Sequence, residues 1–256
     1  MLRSRIIPCL LVHKKGLVKT VCFKDPKYVG DPINAVKIFN EKEVDEIMVL
    51  DIDATTDGRG PDFELIKNLA NECRMPLCYG GGISSVEHAL QIIQLGAEKL
   101  AINFAALNNF PLLKNIGKAV GMQSVVVVID VRRNKSDGYD IYQTNGKQKV
   151  EMPLEEYLCK LNEIEVGEIV INSIDKDGTM HGFDLKLADF VREKTDMPIT
   201  ILGGAGSYTD LKQLVERYSI IGAAAGSLFV FKGKFRAVLI SYPLKHEKKS
   251  ILGLET

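Results

Sequence analysis

The chain has 256 residues, 46% of them hydrophobic, and its Lys and Arg residues balance its Asp and Glu residues at 33 each. This composition suits one domain with a well-buried core and excludes a generally nucleic-acid-binding surface. It does not exclude local phosphate-binding sites. No apolar run approaches the ~20 residues of a membrane helix, and no signal-peptide core is present, so we expect a cytoplasmic protein without membrane association. Five cysteines without metal spacing predict reduced thiols, and we expect neither a metal nor a cofactor.

Short β-branched runs alternate with helical patterns at intervals of about thirty residues, which is typical of βα units around a parallel sheet. Eight strands are predicted, near residues 5–12, 46–52, 76–80, 98–102, 124–130, 168–173, 198–202 and 219–225. Between them, Asp31 followed by Pro32 predicts a helix start, and the segment 84–87 predicts a capping box. Gly96 and Gly167 stand where helices are expected to pass into strands.

An internal repeat divides the chain. Residues 75–84 (MPLCYGGGIS) reappear as 197–206 (MPITILGGAG), and residues 46–53 reappear as 168–175, both at a displacement of 122 residues. A period near half the length indicates a duplicated half-domain rather than a solenoid. We therefore predict a single (β/α)8 barrel over 1–256, with halves at about 1–122 and 123–244. An open doubly wound sheet is the alternative.

In such a barrel, the chemistry belongs at the C-terminal ends of the strands. Asp130 ends the fifth predicted strand, whereas its counterpart in the repeat is Leu11, so one half carries an acid and the other does not. Glycine pairs at matched positions can be tight turns, or they can let backbone amides approach a phosphate. The other polar or glycine candidates at strand ends are Asp51, Asp53, Gly82, Asn103, Asp175, Asp177, Gly178, Gly203, Gly204, Gly226 and Ser227. The four histidines (His13, His88, His181 and His246) are scattered, and we interpret them as structural or surface groups.

Eight segments distributed over the whole chain resemble the cyclase subunit of imidazole glycerol phosphate synthase. They are residues 5–10, 30–32, 50–52, 80–83, 125–130, 173–179, 203–206 and 225–229. The resemblance implies a (β/α)8 barrel of histidine biosynthesis. It also implies a heterodimer with a glutaminase subunit, which docks on the face opposite the active site and sends ammonia through the barrel.

The resemblance also assigns roles by position. That family uses two catalytic aspartates, at the ends of the first and fifth strands, as general acid and base; Asp130 matches the second of them and Leu11 replaces the first. Lys19 matches a substrate-binding lysine in the first βα loop. Substrate or phosphate binding is further implied for Gly82, Asn103, Asp177, Gly178, Gly203, Gly204, Gly226 and Ser227. Arg5, Glu46, Lys99 and Glu168 match a ring of charges that gates ammonia, although a plain ion-pair plug is the simpler interpretation.

Three departures from the family pattern make the pocket more apolar: Leu11, Phe104 where the family has threonine, and Leu202 where it has serine. Together they indicate a changed substrate. The chain therefore resembles a divergent branch that works with a glutaminase and a separate sugar amidotransferase in acetamidino modification of a surface-polysaccharide sugar. The alternatives are a true cyclase acting on a phosphorylated small molecule with Asp53 in place of the missing acid, a non-catalytic scaffold that activates the glutaminase, and a related barrel isomerase acting on the preceding aminoaldose.

Overall fold

Eight parallel strands alternate with helices and close into a barrel in the computed structural model, which describes residues 3–254. The first strand pairs with the eighth as well as with the second, which closes the ring, so the doubly wound alternative is wrong and the predicted (β/α)8 barrel is confirmed. The barrel strands are β1 (Arg5–His13), β2 (Ile47–Asp51), β3 (Leu77–Gly80), β4 (Lys99–Ile102), β5 (Val125–Arg133), β6 (Glu168–Ser173), β7 (Ile199–Leu202) and β8 (Gly222–Ala225).

The helices surround this sheet and bury one face each against it, which forms the larger of two hydrophobic clusters. Their bounds are Pro32–Glu41, Phe63–Glu72, Val86–Gln94, Phe104–Asn108, Phe110–Val120, Leu154–Ile164, Leu185–Lys194, Tyr208–Tyr218, Ser227–Val230 and Lys245–Ile251, with a 3₁₀ turn at Met122–Ser124. Within residues 3–254, no helix has both the length and the hydropathy to span a membrane.

Of the two predicted helix starts, one is confirmed and one is wrong. Asp31 caps its helix by accepting a hydrogen bond from the amide of Asn34, with Pro32 in the first turn, as expected. The capping box at residues 84–87 is wrong, because Ser85 rather than Ser84 is the N-cap and its side chain accepts from the amide of His88. The register is therefore one residue later than predicted, and Glu87 falls outside the reciprocal position.

The two glycines expected at helix ends behave differently. Gly96 follows its helix with a φ of +109°, a conformation that favours glycine. At the other site, Glu165 takes the left-handed position, with a φ of +57°, and Gly167 lies beyond the helix end. A Cβ atom at Gly167 would stand 2.5 Å from the carbonyl oxygen of Met122, so this glycine permits a close backbone approach instead.

The barrel interior is a separate apolar layer. Its side chains alternate along the strands with those that face the helices, as the two-residue period of a strand requires. The apolar layer consists of Ile7, Cys9, Met48, Cys78, Ala101, Val126, Val128, Val170, Leu202 and Ala224, with Leu11 and Leu50 packed against it. It separates the N-terminal end of the barrel from the C-terminal end, where the strands lead into the longer loops.

Two hairpins that the sequence did not predict continue β1 and β5 beyond the barrel. The first joins Gly16–Val21 to Lys24–Gly30, and the second joins Tyr139–Gln143 to Gln148–Lys149. Each follows the first strand of its half, so the two hairpins occupy corresponding places above the same end of the barrel.

The charged segment near the C-terminus is docked on the barrel. The hydroxyl of Tyr242 donates to the carbonyl oxygen of Ile6 at 3.0 Å. Lys248 then reaches the carboxylate of Asp45 at 3.1 Å, and Ile251 is buried. The run 245–250 therefore belongs to a helix that packs on the barrel.

Candidate functional site

A cavity of about 830 Å³ opens at the C-terminal ends of the strands. All ten residues predicted for catalysis or for substrate and phosphate binding line it: Lys19, Gly82, Asn103, Asp130, Asp177, Gly178, Gly203, Gly204, Gly226 and Ser227. Cys9, Ala101 and Val128 of the apolar layer also line it, so the cavity ends on that layer.

Asp130 stands at the base of this cavity and is held by two amides. The Nδ2 group of Asn172 donates to Asp130 Oδ1 at 2.9 Å, and that of Asn103 donates to Asp130 Oδ2 at 3.1 Å. Burial raises the pKa of Asp130 to about 7, although the hydrogen bond from Asn172 acts to lower that pKa. A carboxyl group that titrates near neutral pH can both give and take a proton, which suits acid–base chemistry.

The three apolar departures all face the cavity. Leu11 and Leu202 join its wall to the apolar layer, and Phe104 lies at its rim with 42% of its surface exposed. Position 11 on β1, the repeat counterpart of Asp130 on β5, therefore presents a hydrocarbon surface. A leucine side chain cannot exchange a proton there.

Lys19 is buried beside the cavity, where it extends from the first hairpin strand. Its ammonium group donates to the carbonyl oxygen of Cys9 at 2.5 Å, and burial lowers its pKa. A Cβ atom at Gly226 would stand 2.5 Å from Lys19 Nζ, so the glycine makes room for the ammonium group. Nearby, burial raises the pKa of Asp177, which accepts hydrogen bonds from the hydroxyl of Thr20 at 2.6 Å and the amide of Phe23 at 3.2 Å.

The repeated glycines have matching surroundings. Gly82 has a φ of +70°, and a Cβ atom there would meet the backbone of Gly60 at 2.7 Å. Gly204 has a φ of +106° and would meet the backbone of Gly182 in the same way. At both places the glycine allows two loops to approach closely at the cavity wall.

The structure brings the four predicted gate residues together at the opposite end of the barrel, below the apolar layer. Lys99 contacts Glu46 and Glu168 at 2.8 Å each, and Arg5 contacts the same two carboxylates. We call these four residues the charge ring. The carboxylate side chains are 3% and 4% exposed, whereas those of Arg5 and Lys99 are 21% and 19% exposed, so the cations reach the outer surface.

The ring is electrostatically satisfied. Burial acts to raise the pKa of Glu168, but the charges of Arg5 and Lys99 outweigh it and hold that pKa below its ordinary value. The hydroxyl of Thr200 adds a hydrogen bond to Glu168 Oε1 at 2.5 Å. Two cations shared by two carboxylates satisfy the condition under which buried charges are tolerated.

Sequence reasoning missed two polar pairs at the cavity wall. Arg59 contacts Asp51 at 2.8 Å, and His13 Nδ1 lies 2.7 Å from Asp53 Oδ1. His13, which the sequence analysis interpreted as a structural or surface residue, thus faces the cavity while its ring contacts the Asp53 carboxylate. The signal was available: Leu11 and His13 are two residues apart on one strand, so both point to the same side.

Comparison with known proteins agrees with this geometry. Residues 5–236 match the family described as "Histidine biosynthesis protein". The chain is 52% identical over 243 residues to a Pseudomonas aeruginosa protein provisionally named imidazole glycerol phosphate synthase subunit hisF2, covering 95% of this chain and 97% of that one. It is 50% identical over 255 residues to a Vibrio vulnificus protein provisionally named subunit hisF3, covering 99% and 98% of the two chains.

The name of a further relative is not provisional. Imidazole glycerol phosphate synthase subunit HisF of Streptococcus mutans is 37% identical over 229 residues, which cover 90% of this chain and 91% of that one. Both the family match and these identities extend over nearly the whole barrel. The chain belongs to the family of the HisF cyclase subunit of imidazole glycerol phosphate synthase.

Proposed function

We propose that this chain is the synthase-type subunit of a cytoplasmic glutamine amidotransferase complex. A glutaminase subunit releases ammonia, and the barrel delivers it to an acceptor other than the histidine-pathway substrate. The acceptor we propose is an N-acetylated sugar of a surface polysaccharide, which a separate sugar amidotransferase converts to its acetamidino derivative.

The observation that carries this proposal is Leu11. The cavity retains Asp130 with a pKa of about 7 but has a hydrocarbon side chain where a second acid belongs. Cyclisation by paired carboxylates needs one group to give a proton while the other takes one. Loss of one partner is expected to lower the rate of that reaction by about 100-fold or more. Leu202 and Phe104 extend the apolar surface, which is consistent with a changed acceptor.

The charge ring and the apolar layer support a role in ammonia delivery. The charge ring stands at the end of the barrel away from the cavity, and the apolar layer lies between them. Neutral ammonia can cross an apolar layer, whereas ammonium is held back by the cost of burying its charge. The ring cations are partly exposed at the outer face, where we propose that the glutaminase docks.

The two glycine sites and Lys19 support a phosphate-bearing ligand in the cavity. Gly82 and Gly204 line the cavity at repeat-related positions, and backbone amides at such glycines are suited to hold an anion. We therefore propose that a phosphorylated small molecule binds between them, as substrate or as activator of the glutaminase.

One observation favours the second candidate, a true histidine-pathway cyclase. Asp130 keeps the pKa and the two amide contacts of a working acid–base group. Asp53 is a poor substitute for the missing acid, however. Burial acts to raise its pKa, but hydrogen bonds from the Lys14 amide and His13 outweigh that effect and lower the pKa.

The test uses the purified chain in complex with its glutaminase. Cyclisation of the histidine-pathway substrate is measured for the native chain, for Leu11→Asp and for the uncharged control Leu11→Asn. We expect the native chain and the Leu11→Asn variant to be inactive, and Leu11→Asp to gain activity because it restores the paired acids. In parallel, the gene is deleted in its own host, and mass spectrometry measures the acetamidino content of the surface polysaccharide.

The outcomes separate the candidates. Loss of acetamidino groups on deletion, together with an inactive native cyclase, supports the proposed function. Robust cyclisation by the native chain shows instead that Leu11 is tolerated and that the histidine-pathway cyclase is right. An unchanged polysaccharide with an inactive cyclase, while the chain still stimulates its glutaminase, indicates a scaffold.

A further inference from the structure

The first half of the barrel holds a histidine–aspartate pair on the cavity wall. His13 Nδ1 lies 2.7 Å from Asp53 Oδ1, and the amide of Lys14 donates to Asp53 Oδ2 at 2.7 Å. The Asp53 carboxylate can only accept hydrogen bonds, so it fixes the proton on Nδ1 and leaves Nε2 as an acceptor. Among residues 3–254, the structure gives Nε2 no hydrogen-bond partner.

The second half holds an arginine–aspartate pair at the corresponding place. Arg132 Nε lies 3.5 Å from Asp175 Oδ1, and the amide of Arg133 donates to Asp175 Oδ2 at 2.8 Å. Arg132 corresponds to His13 by the same offset that relates Asp130 to Leu11. The shared geometry holds the first strand of each half against the loop after the next strand. In the second half, arginine performs that structural task.

The two pairs face different surroundings. The guanidinium of Arg132 stacks 4.7 Å above the ring centre of Tyr142 on the second hairpin, and neither Arg132 nor Asp175 lines the cavity. His13 and Asp53 both line it, and their side chains are 28% and 13% exposed. At this position of the repeat, the first half therefore has a proton-carrying group facing the ligand space where the second half has a fixed charge.

Strand geometry relates His13 to the missing acid. Leu11 and His13 point to the same side of β1, and two residues along a strand span about 6.6 Å. The imidazole therefore stands one step nearer the cavity mouth than a carboxylate at position 11 would. Imidazole accepts and donates protons at neutral pH, whereas a leucine side chain does neither.

We propose that His13, oriented by Asp53, is the proton-transfer group of the first half-barrel and acts opposite Asp130 on a ligand in the cavity. This inference rests on the proposed use of ammonia by the complex. In the cavity, ammonia adds to a carbon–oxygen double bond of the phosphorylated ligand when that ligand is a substrate: the ammonia lone pair forms the C–N bond and the π pair moves to the oxygen. The oxygen takes the proton of the Asp130 carboxyl group, and His13 Nε2 takes a proton from the nitrogen. Proton exchange with solvent restores both groups.

The test exploits the symmetry of the barrel. His13→Arg copies the second half, so it keeps a side-chain contact with Asp53 but removes the proton acceptor. Arg132→His is the matched control in the second half. Both variants are measured as complexes with the glutaminase in the cyclisation assay, and in the host by complementation of the gene deletion with acetamidino content as readout. Stimulation of the glutaminase reports that each complex is intact.

We expect His13→Arg to lower product formation by about 100-fold in whichever assay the native chain is active, and Arg132→His to leave it within about twofold. If the native chain is active in the cyclisation assay, Asp53→Asn is expected to lower kcat while KM is unchanged, since Asp53 only positions the imidazole. In that case, imidazole added to the His13→Ala variant is expected to restore part of the rate, which a purely structural histidine would not allow.

Full product formation by the His13→Arg complex overturns the inference while leaving the proposed function standing. A native chain inactive in both assays also overturns it, because the cavity then performs no chemistry. If deletion leaves the polysaccharide unchanged but the native chain cyclises its substrate, the proposed function fails by itself, and the cyclisation rate of the His13→Arg variant then decides the role of His13.

Discussion

The two halves of the barrel share a backbone frame but differ in the side chains placed on it. In each half, an aspartate after a barrel strand accepts from a backbone amide at the end of the half's first strand, as Asp53 and Asp175 do. In each half, a glutamate enters the charge ring. Yet the second half carries Asp130 in the cavity and the first carries Leu11. The frame is therefore structural, and the differences between the halves indicate where function has diverged.

The charge ring shows the same contrast at the other end. Glu168 receives a hydrogen bond from Thr200, whereas the repeat counterpart of Thr200 is Cys78, beside Glu46. A thiol is a much weaker hydrogen-bond donor than a hydroxyl. Glu168 therefore has a strong hydrogen-bond donor that Glu46 lacks. Four predictions test the differences between the two halves.

The largest expected effect is that of Glu168→Gln. The variant leaves two largely buried cations facing one carboxylate, and we expect the free energy of unfolding to fall by about 3–5 kcal/mol. Glu46→Gln, the matched variant, is expected to cost less, because Glu46 lacks the bond to Thr200. Chemical unfolding at pH 7 measures both, and equal losses would show that Thr200 contributes nothing.

This effect has a defined pH dependence. The pKa of Glu168 in the folded chain is below its ordinary value of 4.5, so its stabilising contribution is present above that pH. It is lost as the pH falls through the lowered pKa. The difference between the native chain and the Glu168→Gln variant should therefore shrink below pH 4.5.

Asp130→Asn should lower product formation by about 100-fold or more in whichever of the two assays, cyclisation or acetamidino content, the native chain is active. The reason is that the variant cannot transfer a proton. It should nevertheless stabilise the fold. The pKa of Asp130 is raised from 3.8 to about 7, so the folded chain has its full stability from this group at low pH and loses it as the pH rises through 7. We expect the variant to be more stable than the native chain by a few kcal/mol at pH 8.

Asn172 makes the substitution at Asp130 easy to accommodate. Its Oδ1 atom is buried without a hydrogen-bond partner, and rotation of its amide would let it accept from an asparagine at position 130. Thermal unfolding at pH 8 and pH 5 checks the prediction, because the gain should narrow toward the lower pH. A gain independent of pH would show that the charge of Asp130 is not its cause.

Thr200→Val and Cys78→Val compare the two halves below the apolar layer. Removing the hydroxyl that binds Glu168 should cost about 1–3 kcal/mol, since a buried acceptor loses its donor. The change at Cys78 keeps an apolar side chain of similar size and should cost about 1 kcal/mol or less. Urea unfolding of the two variants gives the difference directly, and a larger loss at Cys78 would contradict it.

The smallest expected effect is that of Arg132→Gln. The side chains of Arg132 and Asp175 are 35% and 44% exposed, so their ion pair is screened by solvent and its loss should cost less than about 1 kcal/mol. Product formation should not change. A large loss of product in this variant would show that the second-half pair also serves the chemistry.

The fold and much of the site could be predicted from residues alone. All eight barrel strands were predicted within a few residues, because buried β-branched runs and helix periodicity are local properties. The capping box was misplaced by one residue, since Ser84 and Ser85 are both suitable caps and only packing of the helix selects one. The hairpins after β1 and β5 were missed because they contain no long apolar run.

What the sequence by itself determined is therefore the barrel, its repeat, and the list of residues at the strand ends, including the contrast between Leu11 and Asp130. Only the tertiary structure decided how those residues are paired. His13 meets Asp53, Asp130 meets two asparagines, and Thr200 binds Glu168, each across 27 or more residues of chain. Sequence patterns report local conformation and burial, whereas pairing between side chains depends on strand register and barrel closure, which arise when the whole sheet has formed.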